Sequence, residues 1–131
     1  MRSENAPFHA HVYYRKETRE LAESLHRRLR NAMDVDGSSG LLHVGQMIDF
    51  KVGPHPEPQF EIHFVKGSLP EILPFLESVG LTILIHPLTD NDHADHTDHA
   101  HWIGQPLPLD LTTLDPPGVN QGLARFGKKD F

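Results

Sequence analysis

The sequence has no cysteine among its 131 residues, and it also has no long apolar run. Without thiolate ligands, a tightly held transition metal must be bound by imidazole nitrogens and carboxylate oxygens. No segment approaches the roughly 18 apolar residues that a membrane-spanning helix needs. The opening residues, MRSENAPF, contain no apolar stretch of the kind found in a secretory signal. We therefore expect a cytoplasmic protein with no membrane partner.

Basic residues are too few and too scattered for a nucleic-acid surface, which needs a broad positive stripe. The net charge is -6 with the histidines neutral, and the basic residues gather only between Arg27 and Arg30 and at Lys128 and Lys129. We expect one domain over residues 1–131, because a chain of this length can bury a core without disulfides or a structural metal. A metal bound here would then serve chemistry and not the stability of the fold.

Histidine, by contrast, is abundant. The chain has 11 histidines, and five of them fall between His86 and His101. Aspartates alternate with these histidines, at Asp90, Asp92, Asp95 and Asp98. A solvated loop needs polar residues but no particular density of imidazole. The stretch is therefore either the wall of a ligand site or a histidine-rich surface loop, and its own composition leaves both interpretations open.

The hydrophobic pattern predicts a fold of four strands and two helices. Strands are predicted over residues 8–14, 41–52, 59–65 and 81–86, and helices over residues 16–33 and 68–80. Thr18 is the predicted N-cap of the first helix, and Ser68 with Glu71 forms a predicted capping box for the second. The order β-α-β-β-α-β predicts an α+β, ferredoxin-like sandwich with a four-stranded antiparallel sheet in the order 4-1-3-2. Residues 1–7 are predicted to be a loose N-terminus, and residues 87–131 a long C-terminal lid and tail.

Alternation within the strands predicts which side chains face the helices and which face the open side of the sheet. The helix-facing set is Phe8, Ala10, Val12, Phe60, Ile62, Ile83 and Ile85. The open-face set is His9, His11, Tyr13, Gln59, Glu61, His63, Thr82, Leu84 and His86. His9 and His11 lie about 7 Å apart at Cα, close enough for both rings to chelate one ion. They could equally be polar residues on a solvent-facing strand.

Two connecting segments carry further candidate residues. Prolines flank His55 in the segment GPHPEP, and this stiff connection suits a histidine held in one direction, although it could equally serve only the hairpin. In the tail, Trp102 and several leucines argue against disorder, so we expect the tail to fold across the open face. A short helix over residues 95–102 would place His96, His99 and Trp102 on one side.

Four motifs taken together resemble the DOPA 4,5-dioxygenase family over roughly residues 8–111. They are FHAHVYY, GPHPEPQFEI, LIHP and DHTDHAHWIGQPLPLDL. The resemblance implies a non-haem iron(II) extradiol dioxygenase that opens a catechol ring beside its diol, with a ferredoxin-like fold that is often dimeric. The matching positions are His9, His11, His55, His86, Asp95, His96, His99 and Trp102. The sequence departs from the family pattern at Thr89-Asp90-Asn91, usually threonine-glycine-aspartate, and at Glu61, which is often a glutamine in relatives.

These observations lead to a specific set of site predictions. The predicted metal ligands are His9, His11 and His86, with Fe(II) as the cofactor or another divalent metal such as zinc in a purified sample. The predicted acid–base residues are His55, His96 and His99, although His9 and His55 could exchange roles. The predicted contacts to the catechol substrate are Tyr13, Glu61 and Trp102.

Two other functions compete with an extradiol dioxygenase that acts on a catechol and O2. One is a non-enzymatic ferredoxin-like module that binds a metal or small ligand and dimerises through its open face. The other is a small dimeric monooxygenase, which would consume oxygen without opening the ring. We expect a homodimer in each case, and turnover of a catechol separates the three hypotheses.

Overall fold

The computed structural model describes residues 6–35, 40–89 and 91–114. Its five strands are β1 (Pro7–Tyr13), β2 (Leu41–Val44), β3 (Gln59–Val65), β4 (Ile83–Pro87) and β5 (His101–Ile103). Its three α-helices are α1 (Arg19–Val35), α2 (Leu69–Glu77) and α3 (Asp92–Asp95). Most of the predicted loose N-terminus, and the part of the predicted tail beyond Leu114, lie outside the described residues.

The strands form one antiparallel sheet in the order β2-β3-β1-β4-β5. β1 therefore lies between β3 and β4, as the sequence predicted. The predicted number of four strands is wrong, because residues 101–103 add β5 to the outer edge of β4. A three-residue strand is too short to show the alternation by which strands are recognised in a sequence.

The helix-facing side of the sheet forms the core. Ala10 pairs with Ile62 on one side and Ile85 on the other, and Val12 pairs in the same way with Phe60 and Ile83. All six side chains are buried in one cluster with helix residues that include Leu25, Leu29, Ile72 and Leu76. The predicted helix-facing set is thus confirmed, with Phe8 only partly buried at the margin of this core. Because side chains alternate along a strand, the same register places the histidines of β1 on the opposite face.

Several predicted element boundaries need correction. β2 ends at Val44 instead of residue 52, and Phe50 beyond it is 68% exposed. Beyond Val44 the chain no longer pairs regularly with β3. Two contacts remain, a hydrogen bond from the Gly45 N–H to the Glu61 carbonyl and an isolated bridge between Ile48 and Gln59. The pairing of β2 with β3 is already irregular, since the register shifts between Leu41 and His43.

Both main helices begin with a 3-10 turn that the sequence did not predict. The turn Lys16–Thr18 precedes α1, and the Thr18 hydroxyl accepts a hydrogen bond from the Arg15 N–H. The turn Lys66–Ser68 precedes α2, so Ser68 already has helical dihedral angles and its side chain caps nothing. The predicted capping box is therefore wrong. Within the described part of the chain, no helix is long and apolar enough to cross a membrane.

Candidate metal centre

The open face of the sheet brings the histidines of three adjacent strands together. In the observed register His9 lies between His63 of β3 and His86 of β4, and His11 pairs with Glu61. All four histidines are buried, with at most 5% of any of them exposed. One ring nitrogen from each of His9, His11 and His86 lies within 4.8 Å of the other two, so these three residues could hold a metal ion. They are the three ligands predicted from the sequence.

The protons on two of these rings are fixed by their neighbours. The Nδ1–H of His11 donates to Oε1 of Gln59 at 3.0 Å, and the Nδ1–H of His86 donates to the Pro87 carbonyl at 2.8 Å. A neutral imidazole that carries its proton on Nδ1 has its lone pair on Nε2. The Nε2 atoms of His11 and His86 lie 2.9 Å apart, so two lone pairs face each other in a buried site.

This arrangement fits a cation between the rings. Facing lone pairs repel each other unless a positive species lies between them. A proton is a poor candidate, because burial lowers the pKa of His11 well below its ordinary value, and the neighbouring histidines lower it further. Metal-binding histidines usually donate their second ring N–H to a carbonyl or carboxylate, as both rings do here. The donor set and its outer hydrogen bonds therefore suit a divalent metal such as zinc or iron(II).

Glu61 supports the third imidazole. Its Oε2 lies 3.4 Å from Nδ1 of His9 and 3.1 Å from Nε2 of His63. The rings of His9 and His63 stack at 3.9 Å with an angle of 11° between their planes. His9, Glu61 and His63 also lie close enough to hold a metal, but lone pairs in parallel ring planes run side by side and do not converge on one point. A carboxylate that accepts an N–H from each ring fits this geometry better.

His55 enters the site from the proline-flanked loop between β2 and β3. Its ring centroid lies 4.2 Å from that of His11, and its Nδ1 lies 2.7 Å from the hydroxyl of Tyr13. Burial, and after it the nearby His96, lowers the pKa of His55 to about 3. Burial also raises the pKa of Tyr13 far above its ordinary value. At neutral pH His55 is therefore neutral and Tyr13 keeps its proton.

Tyr13 and Trp102 contact each other. Their ring centroids lie 5.9 Å apart and their planes are 19° from parallel. Trp102 reaches this position because β5 pairs it with Leu84, which places its ring on the open face as predicted. The predicted substrate contacts of Tyr13 and Trp102 stay a prediction. Neither residue lines the central cavity, which is the cavity beside the histidine cluster, whereas His55 does line it.

The segment after β4 places His96 in the site and keeps His99 away from it. The predicted helix over residues 95–102 is wrong. The short helix α3 begins at Asp92, three residues before the predicted start, and Asn91 is its N-cap. The ring of His96 lies 4.2 Å from that of His86, and its Nδ1–H donates to the Asp92 carbonyl. The side chain of His99 is 49% exposed and lies 3.8 Å from Asp95.

Buried Asp95 organises the turn that leads into α3. One carboxylate oxygen accepts the Thr89 N–H at 2.7 Å, and the other accepts the Thr89 hydroxyl proton at 2.6 Å. The sequence matched Asp95 to the family pattern without giving it a role. Gln59 was likewise placed on the open face without a role, although a buried glutamine in an apolar strand is a signal that its amide has a partner.

A cavity of about 310 Å³ opens beside the histidines. Its polar wall includes His9, His11, His55, Gln59, Glu61, His86, Asp92 and His96, and its apolar wall includes Ile48, Val52, Leu88 and Leu114. Thr113 and Leu114 of the predicted lid segment line this cavity, and the Asp110 N–H of the same segment donates to the Pro54 carbonyl. No arginine or lysine of the described ranges lines this cavity.

The fold and the site define an α+β protein with a buried histidine cluster, open to a cavity, that could hold a metal. The chain belongs to the Dopa 4,5-dioxygenase family, whose sequence profile matches residues 8–113. The resemblance read from the four motifs is thus confirmed.

Individual relatives agree with this assignment. The chain is 30% identical over 120 residues to an uncharacterized 21.2 kDa protein of Botryotinia fuckeliana, covering 82% of this chain and 62% of the relative. It is 28% identical over 117 residues to the DOPA 4,5-dioxygenase of Amanita muscaria, covering 86% of this chain and 51% of the relative. The matches thus span between half and two thirds of the lengths of these relatives. A crystal structure from Nostoc punctiforme, described as a "putative dioxygenase", has a TM-score of 0.69 and 30% identity, with 84% of this chain and 91% of that chain covered.

Proposed function

We propose that this chain is an extradiol ring-cleaving dioxygenase that acts on a catechol such as DOPA, with O2 and a non-haem iron(II) ion. The main evidence for the metal centre is that the Nε2 atoms of His11 and His86 lie 2.9 Å apart while both Nδ1 protons are directed at oxygen acceptors. Membership of the Dopa 4,5-dioxygenase family and the named relative from Amanita muscaria support the reaction class.

In this proposal His9, His11 and His86 hold the iron. When bound, iron(II) supplies a centre where both catechol oxygens and dioxygen can bind and where the pKa of the catechol hydroxyls falls. The chain itself provides the proton acceptor. His96 donates its Nδ1–H to the Asp92 carbonyl, so its lone pair is on Nε2 and can accept a proton from the catechol. The apolar wall of the cavity, which includes Leu88 and Leu114, would exclude water from the aromatic ring.

The test is metal reconstitution followed by turnover. We expect purified protein, loaded anaerobically with iron(II) and mixed with DOPA or another catechol, to take up oxygen and form a yellow ring-opened product when air is admitted. Zinc-loaded protein is the control without redox activity. Oxygen uptake without ring opening would favour a monooxygenase, and iron binding without turnover of any catechol would favour the non-enzymatic module.

A first prediction separates the ligands from other histidines. We expect His11→Ala and His86→Ala each to lower iron content and catechol turnover together, because each removes one of three ligands. The matched control is His93→Ala, which removes an exposed histidine from the same histidine-rich stretch. Iron content is measured by elemental analysis after gel filtration. Full iron occupancy in both ligand variants would show that the metal binds elsewhere.

We also propose the finer fold class and the assembly that the sequence led us to expect. The order β2-β3-β1-β4 with α1 and α2 supports a ferredoxin-like arrangement to which β5 is an addition. The family resemblance supports a homodimer, and we propose a cytoplasmic location for it. Light scattering tests the dimer, since one chain has a mass of 14.8 kDa and a dimer has twice that mass.

A further inference from the structure

Tyr13 and His55 form a buried hydrogen-bonded pair at the edge of the metal centre. The Tyr13 hydroxyl lies 2.7 Å from Nδ1 of His55, and both residues are at least 93% buried. Trp102 stacks on the ring of Tyr13, and the backbone N–H of His55 is fixed on the Val52 carbonyl at 3.0 Å. Both partners are therefore held in place by neighbours outside the histidine cluster.

The direction of this hydrogen bond follows from what else the phenol can reach. If Nδ1 of His55 carried the proton and donated it, the phenol proton would need a second acceptor. Among the described residues, the Tyr13 hydroxyl has no hydrogen-bond partner besides His55. An unpaired buried O–H is costly, because the group loses its hydrogen bond to water and gains no other. The arrangement that satisfies both groups has the phenol donating to Nδ1.

This hydrogen bond also determines whether the second ring nitrogen of His55 carries a proton. When Nδ1 accepts a proton, the neutral ring must carry its own proton on Nε2. Nδ1 is turned toward Tyr13, which does not line the central cavity, whereas His55 does line it. Nε2 is therefore the nitrogen on the cavity side.

We propose that Tyr13 is a positioning residue that holds His55 in the Nε2–H tautomer, so that His55 donates a hydrogen bond to an anionic oxygen of the bound substrate. This assigns His55 a donor role in place of the general acid–base role predicted from the sequence, and it separates His55 from His96, whose Nε2 is an acceptor. The role in turnover rests on the proposed function, whereas the tautomer itself does not.

Nuclear magnetic resonance tests the tautomer directly. The probe is the full chain with 15N-labelled histidine, loaded with diamagnetic zinc(II), and long-range 1H–15N correlations report which ring nitrogen carries the proton. The His55 signals are assigned by their loss in His55→Gln. We expect the Nε2–H form in the wild type and its loss or mixing in Tyr13→Phe, while Trp102→Phe, which keeps the phenol, retains it. A wild-type His55 protonated on Nδ1, or a tautomer unchanged in Tyr13→Phe, would overturn the proposal.

Two substitutions of His55 test the donor role in turnover. The side-chain amide of glutamine extends to the position of Nε2, whereas that of asparagine extends only to the position of Nδ1. We expect His55→Gln to keep kcat within about 10-fold of the wild type and His55→Asn to lose about 100-fold, the size of one lost catalytic hydrogen bond. Equal losses would contradict the donor role even if Tyr13→Phe fails to fold. Turnover absent in the iron-loaded wild type, with the tautomer as expected, would instead count against the proposed function and leave the positioning role standing.

Discussion

At the scale of single residues, the histidine cluster depends on the groups that surround it. Gln59 accepts the Nδ1 proton of His11, the Pro87 carbonyl accepts that of His86, and Glu61 lies against Nδ1 of His9. Each of these contacts orients a ring and leaves the other nitrogen to face the cluster. The outer hydrogen bonds therefore decide whether three nearby imidazoles act as one ligand set.

Replacement of Gln59 tests this dependence. We expect Gln59→Leu to weaken metal binding 10- to 100-fold, because the Nδ1 proton of His11 loses its acceptor and the ring its fixed tautomer. A competition titration of zinc against a chelator measures the change. Gln46→Leu, which alters an exposed glutamine of the preceding loop, is the matched control. Affinity unchanged within 2-fold in Gln59→Leu would show that the tautomer of His11 is set by other groups.

At the scale of elements, the start of β2 and the start of α2 are packed against each other through a glycine. Gly40, just before β2, has a φ of 82°, and a Cβ at this position would overlap the side chain of Ser68. Ser68 ends the 3-10 turn that leads into α2. The connection into one edge strand therefore fixes the approach of the helix that covers the core.

A pair of alanine substitutions separates backbone strain from steric overlap. Gly80, just beyond α2, has a φ of 78°, and a Cβ there would meet nothing within 4 Å. We expect Gly80→Ala to lower the free energy of unfolding by about 1–2 kcal/mol, the cost of a left-handed conformation with a side chain. Gly40→Ala has the same strain plus overlap with Ser68, which adds about 1–3 kcal/mol. Urea denaturation measures both, and equal losses would mean that Ser68 moves aside freely.

The individual elements differ in how well they could be predicted from the sequence. Alternation predicted both faces of β1, β3 and β4 because successive side chains of a strand point to opposite faces, and so it placed His9, His11 and His86 on one surface. It could not predict β5, which has three residues, or the true position of α3, which depends on a cap at Asn91. The Pro87 carbonyl that fixes His86 could not be predicted either, because main-chain acceptors have no signature in the sequence.

At the scale of the whole molecule, buried neutral histidines couple stability to pH. The folded chain lowers the pKa of His11, His26 and His55, mainly by burial, whereas an unfolded histidine titrates near 6.5. As pH falls below about 6.5, the unfolded chain takes up protons that the folded chain does not, so unfolding becomes easier. This stability is fully present above the unfolded pKa and is lost progressively as the pH decreases toward the folded pKa.

The pH dependence can be measured on metal-free protein. With a folded pKa of about 3 for His55, this residue alone lowers the free energy of unfolding by about 2 kcal/mol between pH 8 and pH 5. We expect His55→Gln to reduce that pH dependence by a similar amount, because glutamine does not titrate. Urea denaturation in the presence of a chelator at a series of pH values tests this. A free energy of unfolding that is constant over this range would show that the buried histidines take up protons over the same pH range in the folded chain as in the unfolded chain.

The acceptor for His86 is a main-chain carbonyl, so the three histidines of the cluster differ in how amino-acid substitutions affect their support. Side-chain replacement during evolution can remove the support of His11 at position 59 or that of His9 at position 61. Support of His86 persists through any replacement at position 87 that leaves the path of β4 unchanged. Conservation of two supporting side chains, at positions 59 and 61, is therefore enough to keep three histidines oriented. We expect lineages that lose the metal to lose the hydrogen-bond acceptors at positions 59 and 61 first.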